Sequence, residues 1–317
     1  MRQIELSAGI VEYIDSAPDD AAPGRRAPGA GAATPGHPKP AVVLLHGLLM
    51  DSSLWDGVIA ELGREFRCIA PTLPMGAHRQ PMDADADLSL PGIARLVAEL
   101  IERLDLNDVT LVGNDTGGAL VQLLIAADPA GTDTPAADAA AARVFRQRVG
   151  RVVLASCEAF DNVPPGLTGR TLVRSGRLSP ALFGLFMQQM RIRPMRRLPL
   201  AFGWLTRRGD SAAARWVRPV IAQSGIRRDA VRTLRSIGKN RRLLIAAAER
   251  LPSFAAPALV VWASEDRVMP PEHGHRLAEL LPRGRLVEVE DSYTLIPLDQ
   301  PAAFARHLRA FAGVPVG

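Results

Sequence analysis

The stretch Val109-Thr110-Leu111-Val112-Gly113-Asn114-Asp115-Thr116-Gly117-Gly118, running on into Ala119-Leu120-Val121-Gln122-Leu123-Leu124-Ile125, decides how this sequence folds. Its first half is a short apolar run with the look of a strand buried on both faces, and its second half reads as an apolar helix. Asn114, Asp115 and Thr116 stand between them, flanked by Gly113, Gly117 and Gly118. A chain that turns from strand to helix this tightly needs small neighbours, because only they let the central residue take up its strained geometry. The order small, any, nucleophile, any, small, small meets that demand and leaves Asp115 at the tip. An Asp before two glycines can also be a plain helix cap.

Outward from this turn, apolar runs and amphipathic stretches alternate. Two short strands surround Ser7-Ala8-Gly9, and AVVLL (41–45) is a further buried run ending in His46-Gly47. Next come LWDGVIAELG (54–63) as helix, FRCIAP (66–71) as strand and IARLVAELIERL (93–104) as helix. After the central turn, a polar Ala-rich insertion (128–142) precedes the strand RVVLAS (151–156). An Arg-rich helical block follows, and then PALVVWAS (strand), HGHRLAELL (helix), RLVEVE (strand) and PAAFARHLRAFA (helix) close the alternation. The pattern predicts an α/β protein with a mostly parallel central sheet flanked by helices and a helical cap inserted after the sixth strand. Residues 1–159 and 251–317 form the expected core, 160–250 the cap, and the Pro-, Gly- and Ala-rich 16–40 a flexible surface loop. No internal repeat is evident.

In such a sheet ligands are held beyond the carboxyl ends of the strands. The turn around Asp115, paired with Leu44-Leu45-His46-Gly47 at the end of an earlier strand, resembles the α/β-hydrolase superfamily, and the likeness runs in order across nearly the whole chain. Carrying Asp rather than Ser at the tip, it is similar to the haloalkane dehalogenases and many epoxide hydrolases. The resemblance implies that the Asp115 carboxylate attacks carbon to form an ester, which water activated by a His then cleaves. It also implies an oxyanion hole made by the backbone N–H groups of Leu48 and Thr116. His46, beside Gly47, is expected to be structural. Two places could supply the acid of the triad, Glu158 after RVVLASC and Asp266 in WASEDRVMPP (262–271), and either could instead be a loop carboxylate.

The family's ending departs from the pattern. Aligning Asp299-Gln300-Pro301 with it puts Thr294, next to Tyr293, where His belongs, and a threonine hydroxyl takes no proton near neutral pH. His78, His273, His275 and His307 are expected to be surface residues rather than a relocated base. Haloalkane dehalogenases place Trp after the nucleophile and Asn or Trp after His-Gly, where this chain has Thr116 and Leu48. Epoxide hydrolases of this kind need two cap tyrosines, and 161–250 holds none. Trp204 and Trp216 could each offer a donor or simply fill the core.

Composition narrows the classes. The 317 residues are 47% hydrophobic and 22% charged, with a mean hydropathy of +0.06, which excludes wholesale disorder. No apolar run reaches the roughly 18 residues of a spanning helix. The opening MRQIELSAGIVEYID lacks an export signal's basic start and apolar middle, so a cytoplasmic protein is expected. Cys68 and Cys157 read as small buried side chains. The net charge of +5 hides an asymmetry: residues 161–250 carry eighteen Arg and Lys239 against four acids, a net +15, leaving −10 elsewhere. Such a block is either a solvated arginine face or an attractor for an anionic or carrier-bound substrate. It has no aromatic interleaving, so a nucleic-acid surface is not expected. No metal cluster, dinucleotide fingerprint or phosphate loop occurs, so no cofactor and no metal are expected.

The sequence thus predicts a hydrolase in which Asp115 is nucleophile or general acid/base, acting on a small or medium apolar ester, carbonyl, halide or epoxide-type compound. Two alternatives stay open. One is a non-hydrolytic lyase, isomerase or cyclase on the same scaffold; the other is a ligand-binding protein that lost turnover with its His.

Overall fold

The computed structural model describes residues 1–17, 39–128, 135–240 and 242–313. The expected flexible loop at 16–40 lies almost wholly outside them. Eight strands form one sheet: β1 (Arg2–Leu6), β2 (Gly9–Asp15), β3 (Ala41–Leu45), β4 (Arg67–Pro71), β5 (Val109–Asp115), β6 (Val149–Cys157), β7 (Ala258–Ala263) and β8 (Gly284–Val289). Their order is β1-β2-β4-β3-β5-β6-β7-β8. The first two strands join antiparallel and the rest run parallel. Every residue of β3, β5 and β7 is buried, which is why these strands read as unbroken apolar runs rather than alternating ones.

Four helices join the strands up to β6: α1 (Asp56–Leu62), α2 (Leu90–Arg103), α3 (Thr116–Ala126) and α4 (Ala136–Arg148). Helix α2 is started by Ser89, whose hydroxyl accepts from the Gly92 N–H at 3.2 Å, and by Pro91 in its first turn. Between β6 and β7 lie α5 (Gly166–Ser175), α6 (Pro180–Gln188), α7 (Arg193–Arg196), α8 (Asp210–Ala222), α9 (Ser224–Lys239) and α10 (Leu243–Ala248). The chain ends with α11 (Pro271–Leu280), α12 (Ile296–Asp299) and α13 (Pro301–Ala312). Among the described residues no helix is long and apolar enough to cross a membrane.

The Ala-rich stretch read as a polar insertion departs from expectation. From Ala136 onward it is helix α4, anchored by buried Ala141, Val144 and Phe145, the last with its ring 5.9 Å from that of Phe254. Alanine's helix propensity sufficed where no strong amphipathic pattern advertised a helix.

Strand register positions the functional residues. Leu45 pairs with Gly113, Gly113 with Leu154, and Leu154 with Val260. The residues just past these points, His46-Gly47, Asn114-Asp115, Cys157-Glu158 and the loop holding Asp266, therefore emerge at one edge of the sheet. The carboxyl-end rule for parallel sheets is met by alignment of four strand ends.

Candidate active site

Asp115 adopts φ 55° and ψ −129° at the junction of β5 and α3 and is buried. Few non-glycine residues tolerate such a backbone; it is the strained turn that the flanking glycines were expected to permit. Gly117 is needed for close approach, since a Cβ there would stand 2.7 Å from the carbonyl carbon of Leu45. Gly47 is needed for another reason. A Cβ on it would lie 2.7 Å from Asp115 Cβ and nearer still to Oδ2, so the carboxylate occupies the space that only a glycine vacates.

Burial pushes the Asp115 carboxyl up to about 6, and the nearby Asp266 carboxylate pushes the same way. Hydrogen bonding from the backbone N–H groups of Thr116 and Leu48, and from the Thr116 hydroxyl, pulls it back down. The two amides expected to form an oxyanion hole thus act on the carboxylate itself.

Thr116 Oγ1 also lies 2.8 Å from Oε1 of Glu158, so the hydroxyl stands between two carboxyl groups and its single proton serves one of them at a time. Glu158 is fully enclosed, its Oε2 has no hydrogen-bond partner, and burial followed by the Asp115 charge holds its pKa well above the usual range. Asp266 is brought to the same place from the loop after β7. Its Oδ1 accepts from the backbone N–H groups of Val268 (2.9 Å) and Met269 (2.8 Å) and from the Thr294 hydroxyl (2.8 Å), whereas its Oδ2 is buried without a partner. Burial raises Asp266 to about 6 against the pull of these donors. Both acids proposed from the sequence therefore join Asp115, and neither is a surface loop carboxylate.

The histidines divide. His46 is buried; its Nε2 accepts from the Leu73 N–H at 2.8 Å, so Nδ1 carries the proton and donates to the Gly47 carbonyl at 2.8 Å. Burial lowers its pKa to about 4, making it a neutral strut beneath the Gly47 turn. The expectation of a surface His78 is corrected: it is 3% exposed, with Nε2 3.3 Å from Oδ2 of fully buried Asp229. The cause is tertiary, because helix α9 covers the loop that carries it. His273 is half-buried, its ring edge-on to Phe160 at 5.1 Å; His275 is exposed. Among the described residues none of these imidazoles is hydrogen-bonded to Asp115, Glu158 or Asp266.

Tyr293 does not join the carboxyl groups by any hydrogen bond of its ring, which lies between the guanidinium groups of Arg207 (5.1 Å) and Arg267 (4.6 Å). Trp216 is committed elsewhere too, its indole N–H donating to Oδ1 of Asp51 at 2.9 Å. Cys68 and Cys157 are buried free thiols. Among the described residues no group of three or more His, Cys, Asp and Glu side chains could hold a metal ion.

An apolar cavity of about 60 Å³ opens beside Leu48 and Leu49 under the helices that follow β6. Thr168, Leu172, Met187 and Phe202 contribute to its walls. Leu48 thus touches both the space for a ligand and, through its N–H, the Asp115 carboxylate.

Two residues named in the sequence only as parts of motifs carry tertiary contacts that it did not reveal. Asn114 donates from Nδ2 to the carbonyls of Ala155 (2.9 Å) and Thr294 (2.8 Å), tying the tip of β5 to its neighbour and to the loop that carries Thr294. Asp299 accepts from the Thr206 hydroxyl (2.7 Å), from the backbone N–H groups of Arg207 and Arg208, and from that of Tyr293 (3.1 Å). Asp299 was visible as part of the closing motif, but its reach to residues nearly a hundred positions away has no local signature.

Comparison with known proteins gives a consistent result. A family model described as an alpha/beta hydrolase family matches residues 42–307. An uncharacterised protein of Mycobacterium tuberculosis is 26% identical over 276 residues, covering 84% of this chain and 73% of that one. Among solved structures, a haloalkane dehalogenase from Bradyrhizobium elkani superposes with a TM-score of 0.69 at 17% identity, covering 98% of this chain and 97% of its own. A carboxylesterase from Bacillus subtilis gives a TM-score of 0.67 at 17% identity, over 99% and 92%.

Proposed function

The chain belongs to the alpha/beta hydrolase family, and from that premise we propose that it is a hydrolase whose reacting group is the Asp115 carboxylate. The observation that carries this reading is the seat of that carboxylate against Gly47, where no side chain fits and where the amides of Leu48 and Thr116 converge. The apolar side chains around the cavity next to Leu48 suit a small or medium apolar ester, carbonyl, halide or epoxide-type substrate by their chemistry. Residues 160–250 act in this reading as a cap over the sheet edge. Their positive charge favours an anionic or carrier-bound form of the substrate, and turnover indifferent to salt would count against that part. Buried free thiols suit the expected cytoplasmic location.

In the first step ionised Asp115 attacks an electrophilic carbon; the C–O bond forms as the bond to the leaving group breaks and the departing group takes the electron pair. For the second step a base is required; Oδ2 of Asp266 and Oε2 of Glu158 are both buried without a donor, and Asp266, raised only to about 6, is the more readily ionised of the two. Asp266 takes a proton from water, hydroxide attacks the ester carbonyl, and the oxygen that gains charge faces the amides of Leu48 and Thr116. Collapse releases the alcohol, which recovers its proton from Asp266. Glu158, whose carboxyl burial and the Asp115 charge hold well above the usual range, positions the Thr116 hydroxyl.

The test is intact-protein mass spectrometry and peptide mapping after incubation with 1-bromohexane. An ester on Asp115 that turns over in the wild type, accumulates in Asp266→Asn and is absent in Asp115→Asn is the expected result. Unmodified Asp115 in all three proteins, or wild-type turnover retained in Asp115→Asn, removes the nucleophile.

A second reading rests on the Thr294 hydroxyl bonded to Asp266 at 2.8 Å, an arrangement with no imidazole to activate water. On it the protein is a non-hydrolytic lyase, isomerase or cyclase, or a ligand-binding protein. An adduct on wild-type Asp115 that never releases favours this reading.

A further inference from the structure

Helix α5 has two opposed faces. Thr168, Thr171 and Leu172 look into the apolar cavity, whereas Arg170, Val173, Arg174 and Arg177 (the last just past the helix) line a different one of about 380 Å³. The far wall of this second space is the end of α9, with Leu234, Arg235 and Lys239. The helices touch closely at its floor: a Cβ on Gly176 would stand 2.6 Å from Cβ of Leu234, and one on Gly238 3.2 Å from Val173. Arg235 is fixed, its guanidinium donating to the carbonyls of Gly176 (2.9 Å) and Leu178 (3.0 Å).

Five cationic side chains therefore surround one groove, and no carboxylate lines it. Among the described residues none of the five forms an ion pair. Elsewhere in the same segment arginines do meet acids: Arg196 bonds Asp210 at 3.0 Å, Arg207 bonds Glu265, and Arg228 and Arg232 flank Asp229. Other arginines of the segment, such as Arg191, Arg215 and Arg218, lie singly on exposed surface, whereas these five share one concave space. Grouped like charges raise the local potential and favour a multivalent counter-anion, and guanidinium forks match phosphate oxygens two at a time. The volume is that of a small-molecule site rather than a flat docking face. Val173, Leu234 and Pro164 supply aliphatic contact, and no aromatic ring lines the groove to stack on a nucleobase.

We propose that the groove between α5 and α9 is a binding site for a phosphate ester carrying two or more negative charges on an aliphatic body. Helix α5 separates it from the cavity at Leu48, so the site is distinct from that of the reacting group and stands independently of the role given to Asp115.

The experiment is calorimetric titration of the full chain with pentyl diphosphate, inorganic pyrophosphate, ADP and sulfate at low and moderate salt. Arg174→Glu/Arg177→Glu is compared with Arg64→Glu, a charge reversal at an exposed residue outside the groove, and thermal melts check that each variant is folded. Pentyl diphosphate is expected to bind about tenfold or more tightly than sulfate and at least as tightly as ADP, and to weaken with salt. The double variant is expected to lose about tenfold or more, and Arg64→Glu less than about twofold. No binding of either diphosphate to the wild type, equal affinity for sulfate, tighter binding of ADP, or an unchanged double variant overturns the proposal. None of these results bears on Asp115.

Discussion

The Thr294 hydroxyl donates to Oδ1 of Asp266 at 2.8 Å, while the Thr294 carbonyl accepts from Asn114, the residue preceding Asp115, at 2.8 Å. Thr294 thereby links the loop after β8 to the turn that carries Asp115. Its alcohol can steady an acid but cannot take a proton from water. Replacing Thr294 with His should place an imidazole beside that acid and, with a base available, speed release of the ester on Asp115 by about tenfold or more. Single-turnover adduct decay measures this. A variant that folds but releases no faster argues that water cannot reach the ester.

With the proposed roles of Asp115 and Asp266, activity should fall as pH drops through about 6, because both carboxyl groups protonate there and each is used ionised in its step. Thr294→Val removes a hydrogen bond that holds Asp266 down, so the acid limb should move to higher pH. The pH profile of adduct decay on Asp115 reads this directly, and a limb that stays put in the variant means that Asp266 does not set it.

Asp115→Asn should make the protein more stable at pH 7.5 but not at pH 4. The folded carboxyl titrates near 6 and the unfolded one near its ordinary 3.8, so between these values the native state binds more protons. Wild-type stability therefore declines as pH rises through that window and levels off above about 6. Asparagine has no such loss. A gain on the order of 1–2 kcal/mol is expected from urea unfolding at pH 7.5. Equal gains at both pH values would point to packing rather than charge.

Asp299→Ala should destabilise the protein by roughly 2–4 kcal/mol, because it strips the acceptor from Thr206, Arg207, Arg208 and Tyr293 at once. These donors join the helices after β6 to the loop carrying Thr294, so proteolysis should cut near 206–208 sooner than in the wild type. A change within about 0.5 kcal/mol would show that the hub is redundant.

Much of this molecule was legible one residue at a time. Buried strands announced themselves as AVVLL, VTLVG and ALVVWA, and the glycines at 113, 117 and 118 marked the sharp turn, since close backbone approach leaves a local trace in composition. Asp115, Glu158, Asp266 and Thr294 could be named from their places after strands. Helix α4 and the burial of His78 were not legible, because one had only alanine to signal it and the other depends on Asp229, 151 positions away.

The sequence by itself determined the alternation of buried strands with most of the helices and the sharp turn at Asp115, both of which depend on neighbours along the chain. Only the tertiary structure decided that three carboxyl groups share one buried place, that His46 is a neutral strut, and that five cations gather between α5 and α9. Charge state and hydrogen-bond partnership depend on distance through space and on exclusion of water, and strand register supplied both by aligning ends that the sequence keeps far apart.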